Sequence, residues 1–207
     1  MAGQDDDVKL ISGSISLDAT LREIAREDGE SSGHPPVELW NPERAGDIGM
    51  EIRADGSWWH EGRPIRREKL VRLFARILRE DEDGRTWLVT PYEKVLVHVA
   101  DAHFHAVRVD AHGGPGEDQV LIFRTNVGDE VVAGPERPLT FRTTEEGEPQ
   151  PYLRVRGRLD AKLTRPVFYE LADRAVPNPE DGGRTLGVWS KGCFFTIGPG
   201  ARAGRVL

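Results

Sequence analysis

At 207 residues, 38 % hydrophobic and 30 % charged, the chain is long enough to bury one large core or two small ones. No apolar run approaches the roughly 18 to 20 residues of a membrane span, and the opening Met1-Ala2-Gly3-Gln4-Asp5-Asp6-Asp7 is acidic where a secretory signal would be basic and then apolar, so the expected location is the cytoplasm. The net charge of −7 resides wholly in residues 1–50, with eleven acids against four bases, which leaves no overall basic field for stable nucleic-acid binding; the single cysteine, Cys193, excludes an intramolecular disulfide or a multi-cysteine metal site.

Residues 16–25 read as a short amphipathic helix with Leu17, Leu21 and Ile24 on one face, broken by Glu30-Ser31-Ser32-Gly33. His34-Pro35-Pro36-Val37-Glu38-Leu39-Trp40 is held extended by its prolines and ends in a large aromatic, so it is expected to lie over the body of the protein. A motif then occurs twice. Ile52-Arg53-Ala54-Asp55-Gly56 leads to Gly62-Arg63-Pro64-Ile65, and Leu153-Arg154-Val155-Arg156-Gly157 leads to Thr164-Arg165-Pro166-Val167. Each copy predicts a hairpin closing on Arg-Pro-aliphatic and then a helix, with Pro at the first helical turn, where its missing N–H needs no partner.

The first of these helices is predicted from Leu70, Leu73, Phe74, Ile77 and Leu78, with Asp83-Gly84 as its end. Its other face carries Arg66, Arg67, Lys69, Arg72, Arg76 and Arg79, a basic stripe that reads first as a solvated face and second as a docking surface for a protein or a lipid headgroup. Period-two strands follow over 86–90, 95–99 and 106–109. The loop His112-Gly113-Gly114-Pro115-Gly116 is the expected domain boundary. Strands over 119–124, 130–133 and 139–141, a polar loop at 144–149, the second hairpin, a helix over 166–175 and closing strands near 186–189 and 194–197 complete the chain. The expected fold is α+β: an N-terminal helix and arm (1–45), then two β-rich domains related by duplication (46–111 and 112–207), each with a hairpin followed by a helix and further strands.

No nucleophile elbow, metal-binding helix or dinucleotide fingerprint is present, so no catalytic residue, metal ligand or cofactor is assigned and an enzyme is the less favoured reading. A site around His60, Glu61 and Glu93 is the form an unrecognised enzyme would take. His103-Phe104-His105 would place two imidazoles on one strand face but lacks a third ligand at familiar spacing. The residues assigned to binding are Thr90, Glu93, Lys94, Arg124, Thr125, Asn126, Arg154, Arg156, Arg165, Tyr169 and Trp189. Arginine forks match phosphate or carboxylate, Asn and Thr read base or sugar edges, and Tyr or Trp stacks. That inventory suits a small anionic, nucleotide-like ligand at the seam between the duplicated halves. The competing reading pairs these arginines with Glu93, Asp160 and Glu170.

Pro35-Pro36-Val37-Glu38-Leu39-Trp40-Asn41-Pro42, Gly46-Asp47, Asp55-Gly56-Ser57-Trp58, Gly62-Arg63-Pro64-Ile65, Leu88-Val89-Thr90-Pro91 with Glu93-Lys94, Phe123-Arg124-Thr125-Asn126, and Pro151-Tyr152-Leu153 through Val155-Arg156-Gly157 stand in fixed order. Together they resemble DUF1285, a bacterial family of domains of unknown function. The resemblance implies a duplicated core, a C-terminal half like pleckstrin-homology folds, a nucleotide-like ligand at the domain interface and a role in signal transduction. Ala45 stands where the family commonly has Cys before Gly46-Asp47, so the resemblance carries no thiol chemistry to this chain.

Overall fold

The computed structural model describes residues 34–143 and 149–199. The helix expected at 16–25 and most of the polar loop at 144–149 lie outside these residues. The chain divides into two compact units, one ending at Asp101 and one beginning at Ala102.

In the first unit β1 (Arg44–Ile52), β2 (Trp58–His60) and β3 (Arg63–Pro64) precede α1 (Glu68–Arg76), which is followed by β4 (Leu78–Glu80), β5 (Thr86–Val89) and β6 (Glu93–Val99). The sheet order is β3-β2-β1-β6-β5-β4, antiparallel throughout except for the central β1/β6 pair, which is parallel. The second unit contains β7 (Phe104–His112), β8 (Val120–Thr125), β9 (Glu130–Val132), β10 (Leu139–Thr143), β11 (Pro149–Arg156) and β12 (Leu159–Leu163), ordered β10-β11-β12-β7-β8-β9. Here too the central pair, β12/β7, is parallel. Each sheet is thus two meanders: one runs from the centre to an edge, and the other returns from the opposite edge to lie beside the first strand. Two β-rich domains with one topology are what a duplication leaves.

The equivalence differs from the one suggested by the repeated motif. It relates β1 through β6 to β7 through β12, whereas the motif copies fall on β1–β3 and on β11–β12 with the following helix. Strand-turn-strand-proline is local hairpin grammar, and local grammar can recur at topologically different places. Pro64 is not the first residue of a helix: it pairs opposite Trp59 in the edge strand β3, where a missing N–H is tolerated. Two residues in left-handed conformation, Glu61 and Gly62, make the tight turn into it. Pro166 does occupy the first turn of α2 (Arg165–Ala172), as predicted.

The helix predicted through Leu78 ends at Arg76. Leu78 pairs with Leu88 in β4, and Asp83-Gly84 is the turn of the β4/β5 hairpin. An adjacent apolar pair such as Ile77-Leu78 suits a helix face or a buried strand equally, and sheet pairing selects the strand. The expected boundary at 111/112 also moves, because the glycine-rich loop joins β7 to β8, which are paired from Ala106/Thr125 to His112/Val120. The arm expected to end at 45 ends earlier, since Arg44 and Ala45 are already in β1.

In the first unit, Trp58 is buried against Phe74 of α1, ring centroids 5.9 Å apart, while Trp59 on the alternate face is stacked under Arg53 at 3.4 Å. All four residues of β5 are buried, so both faces of that strand are covered. The second cover is the arm: Trp40, together with Leu96, packs against the buried cluster of Ala45, Trp87 and Val89.

In the second unit a further three-stranded sheet, β13 (Val176–Pro177), β14 (Thr185–Ser190) and β15 (Cys193–Pro199), follows α2. Its tip is docked by Ser190, which is buried, accepts the Leu121 N–H at 2.9 Å and donates to the Ala133 carbonyl at 2.7 Å. Gly187 lies tight in this sheet. A Cβ there would meet the Phe195 carbonyl and come within 2.5 Å of the Phe194 ring. Gly187→Ala is expected to cost about 2 kcal/mol, read from the urea midpoint, through strain that neither neighbour can relieve.

Candidate functional site

The charged face of the second sheet is built around the β11/β12 hairpin. Arg154 and Asp160 are cross-strand partners, and Arg154 Nε donates to Asp160 Oδ1 at 2.6 Å while its Nη1 reaches the Gly157 carbonyl at 2.9 Å. The other carboxylate oxygen, Oδ2, accepts from Arg142 Nη2 of β10 at 3.0 Å. Arg142 also lies over the Tyr152 ring at 4.2 Å and keeps 57 % of its side chain in solvent. A bulge follows Arg154 in the β11/β12 pairing, after which Arg156 donates to Asp129 Oδ2 at 3.0 Å and lies 5.3 Å from the centroid of Phe104. Asp129 is fixed by its own loop: its N–H goes to Thr125 Oγ1 and its carbonyl accepts from Thr125 N–H.

His103 is stitched to the same aspartate. Its N–H donates to the Asp160 carbonyl at 3.2 Å, and its Nδ1 accepts the Asp160 N–H at 3.2 Å, which leaves the proton of the neutral ring on Nε2. Burial pushes its pKa down to about 4; Asp160 opposes the shift, and the cations of Arg156 and Arg154 assist it. His103 is therefore uncharged at neutral pH, so the ion pairs here are those of Arg142 and Arg154 with Asp160 and of Arg156 with Asp129.

Among the residues assigned from sequence, Arg154, Arg156 and Thr125 belong to this arrangement. Asn126 is adjacent, and its Oδ1 accepts the His105 N–H at 3.0 Å. Arg124 is held by Glu130 at 2.6 Å on an exposed surface. Arg165 and Tyr169 are exposed residues of α2, and Trp189 packs edge-on against Phe194 at 5.2 Å; none of the three shares a hydrogen bond, ion pair or ring contact with the arginine face among the described residues. Thr90, Glu93 and Lys94 lie in the first unit. The Thr90 hydroxyl closes a turn, accepting the Glu93 N–H and donating to its carbonyl, and Lys94 is bonded to Asp81 at 3.2 Å with its ammonium 4.4 Å above Trp87. Arg142 and Asp129 are participants that sequence reasoning left out, and His103, weighed there only as half of an imidazole pair for a metal, is a third outside the assigned binding set. Residue type flagged Arg142 and Asp129 no more than any other surface charge, because their role comes from strand register and one turn.

Arg79, expected on the basic helix face, is instead buried in β4. It donates Nε to Asp81 and Nη1 to the carbonyls of Val37 and Trp40, all at 2.7 Å. A separate groove of about 570 Å³ opens beside α2, floored by Val109 and Ile122 and lined by Asp110, Glu130, Glu170 and Arg174. Its carboxylates outnumber its arginines, so it does not suit an anion. No group of three or more His, Cys, Asp or Glu suited to a metal is present among the described residues, and no helix there is long and apolar enough to cross a membrane.

Fold and site define a two-domain, β-rich protein whose second unit carries arginines around the β11/β12 hairpin. The chain belongs to the DUF1285 family: the model of its N-terminal domain, described as a domain of unknown function, matches residues 35–102, and that of its C-terminal domain, described as a protein of unknown function, matches residues 103–197. The matches meet at 102/103, within a residue of the structural division. A crystal structure of a DUF1285 family protein from Silicibacter pomeroyi DSS-3 is 41 % identical, with a TM-score of 0.79 over 90 % of this chain and 97 % of that one. A second, from Shewanella baltica OS155, is 26 % identical with a TM-score of 0.49 over 61 % of this chain and 92 % of that one. No curated protein matches the chain.

Proposed function

We propose that the protein is a non-catalytic, cytoplasmic binder of a small anionic, nucleotide-like ligand, acting in signal transduction, and that the arginine face of the second unit supplies the binding groups. The observation that carries this reading is the sharing at that face: two guanidiniums, of Arg142 and Arg154, converge on the one carboxylate of Asp160, and the half-exposed Arg142 fork already lies against an aromatic ring. Planar forks over aromatic rings match phosphate oxygens and a base. A pleckstrin-homology-like character of the second unit belongs to the same proposal: its meandering strands lead into α2, although the parallel β7/β12 pair sets it apart from a wholly antiparallel barrel. In the α+β description, each unit contributes one helix to its sheet. The rival reading, a module that docks a protein or lipid headgroup, would use the basic surface at α1.

A thermal-shift screen against nucleotides, nucleotide second messengers and phosphorylated metabolites tests the proposal. A ligand at a hundred times its Kd should add about 2.7 kcal/mol of stability. Arg142→Ala should weaken that ligand at least about tenfold, equivalent to about 1.4 kcal/mol, while changing the ligand-free stability by no more than about 1 kcal/mol, because the Arg142 side chain is more than half exposed and Asp160 keeps its bond to Arg154. A hit whose affinity survives both Arg142→Ala and Arg154→Ala would remove the site from this face, and a silent screen would favour the docking module.

A further inference from the structure

The first unit gathers cations where its own structure disfavours them. Arg63 in the edge strand β3, and Arg66, Arg67 and Lys69 around the start of α1, are all exposed, and none of the four side chains makes an ion pair among the described residues. Arg67 is the capping residue immediately before α1, and no side chain caps the free N–H groups there. That end of a helix carries the positive pole of the backbone dipole and favours acids, so a cluster of cations around it is unfavourable unless an anion covers it. The nearby acid Glu68 is engaged with Arg72 at 3.6 Å.

The complementary charge is in the same chain. Residues 1–33 hold eight acids against three bases, most of the chain's acidic excess. They join the first unit at His34, directly before the arm that Arg79 anchors. Chain of this length reaches about 3.3 Å per residue when extended, ample for any point on a unit of about 100 residues. A tethered partner also acts at millimolar effective concentration, so modest electrostatic attraction suffices.

We infer that the cationic surface formed by Arg63, Arg66, Arg67 and Lys69 is an intramolecular docking surface for the acidic segment 1–33, which masks it from other polyanions. The inference is independent of the ligand reading for the second unit. One pairing accounts for two charge anomalies, the acid excess of residues 1–33 and the four exposed cations around the start of α1 that make no ion pair among the described residues.

The test is zero-length carbodiimide cross-linking of the 207-residue chain at low salt. Lys69 is the amine within the patch. Peptide mass spectrometry should find it joined to a carboxylate of residues 1–33, and an equal mixture of isotope-labelled and unlabelled protein should show that link within single molecules. Salt at 1 M, where the screening length is about 3 Å, should abolish it. In parallel, replacing Asp5, Asp6, Asp7, Glu27, Asp28 and Glu30 with their amides should unmask the surface and move elution from immobilised heparin to higher salt. R66E/R67E in that background should reverse the shift. A Lys69 link that is absent, salt-insensitive or formed only between molecules, or heparin elution unchanged by the amides, would overturn the inference.

Discussion

Arg79→Met is expected to cost about 3 kcal/mol and to release the arm. Arg79 is enclosed by the carboxylate of Asp81 and the carbonyls of Val37 and Trp40, each within 2.7 Å, with only a tenth of its side chain exposed. Methionine fills much of the volume but leaves two carbonyls without this donor and Asp81 with Lys94 as its remaining cation. Breaking a buried pair from one side costs about 3 to 5 kcal/mol, and the partial exposure of Asp81 places this case at the lower end. Urea unfolding gives the loss. Hydrogen exchange at Val37–Trp40 reports the arm, which should open well before the β5/β6 pair. Arg79→Lys should restore only a minor part, since one ammonium cannot span three acceptors in two directions. A loss below about 1 kcal/mol would show that Trp40 packing alone holds the arm.

The second large effect is on acid stability. His103 has a folded-state pKa of about 4 against 6.5 unfolded, because burial disfavours its charged form more than Asp160 favours it. Between these values the unfolded chain binds a proton that the folded chain does not. The stabilisation is complete above pH 6.5, declines as pH falls toward 4 and is exhausted below that. The span corresponds to about 3 kcal/mol at 1.36 kcal/mol per pKa unit. His103→Asn, which retains an acceptor for the Asp160 N–H, should flatten the stability profile over that window. The depressed carboxylates of Asp47, Asp83, Asp110 and Asp181 give up their contributions only below about pH 3.8, so they do not mimic the effect. An unchanged slope between pH 4.5 and 6.5 in the variant would show that His103 is charged in the folded protein.

Period and punctuation in the sequence determined the strands. Alternation over 86–90 and 95–99 became β5 and β6, and the run at 119–124 became β8, because a half-buried or buried strand writes its burial directly into residue order. The surface role of Trp59 and the buried role of Trp58 follow from the same alternation. The motifs that marked the DUF1285 resemblance were legible for the same reason: they are local strings.

What was not local was not legible. Whether Ile77-Leu78 closes a helix or opens a strand depends on Leu88, ten positions on, and that choice moved Arg79 from a supposed solvent face into a buried junction with the arm. The division after Asp101 rather than at the glycine loop depends on β7 pairing with β8 across that loop. The arginine face has the same origin. Residue type nominated Arg154 and Arg156, but Asp160 meets Arg142 and Arg154 through strand register, Asp129 reaches Arg156 through a turn, and His103 loses its charge because neighbouring elements bury it. The sequence alone determined which residues alternate and which carry charge. Tertiary structure decided which charges meet, because pairing energy depends on separations set by contacts between residues far apart in the chain.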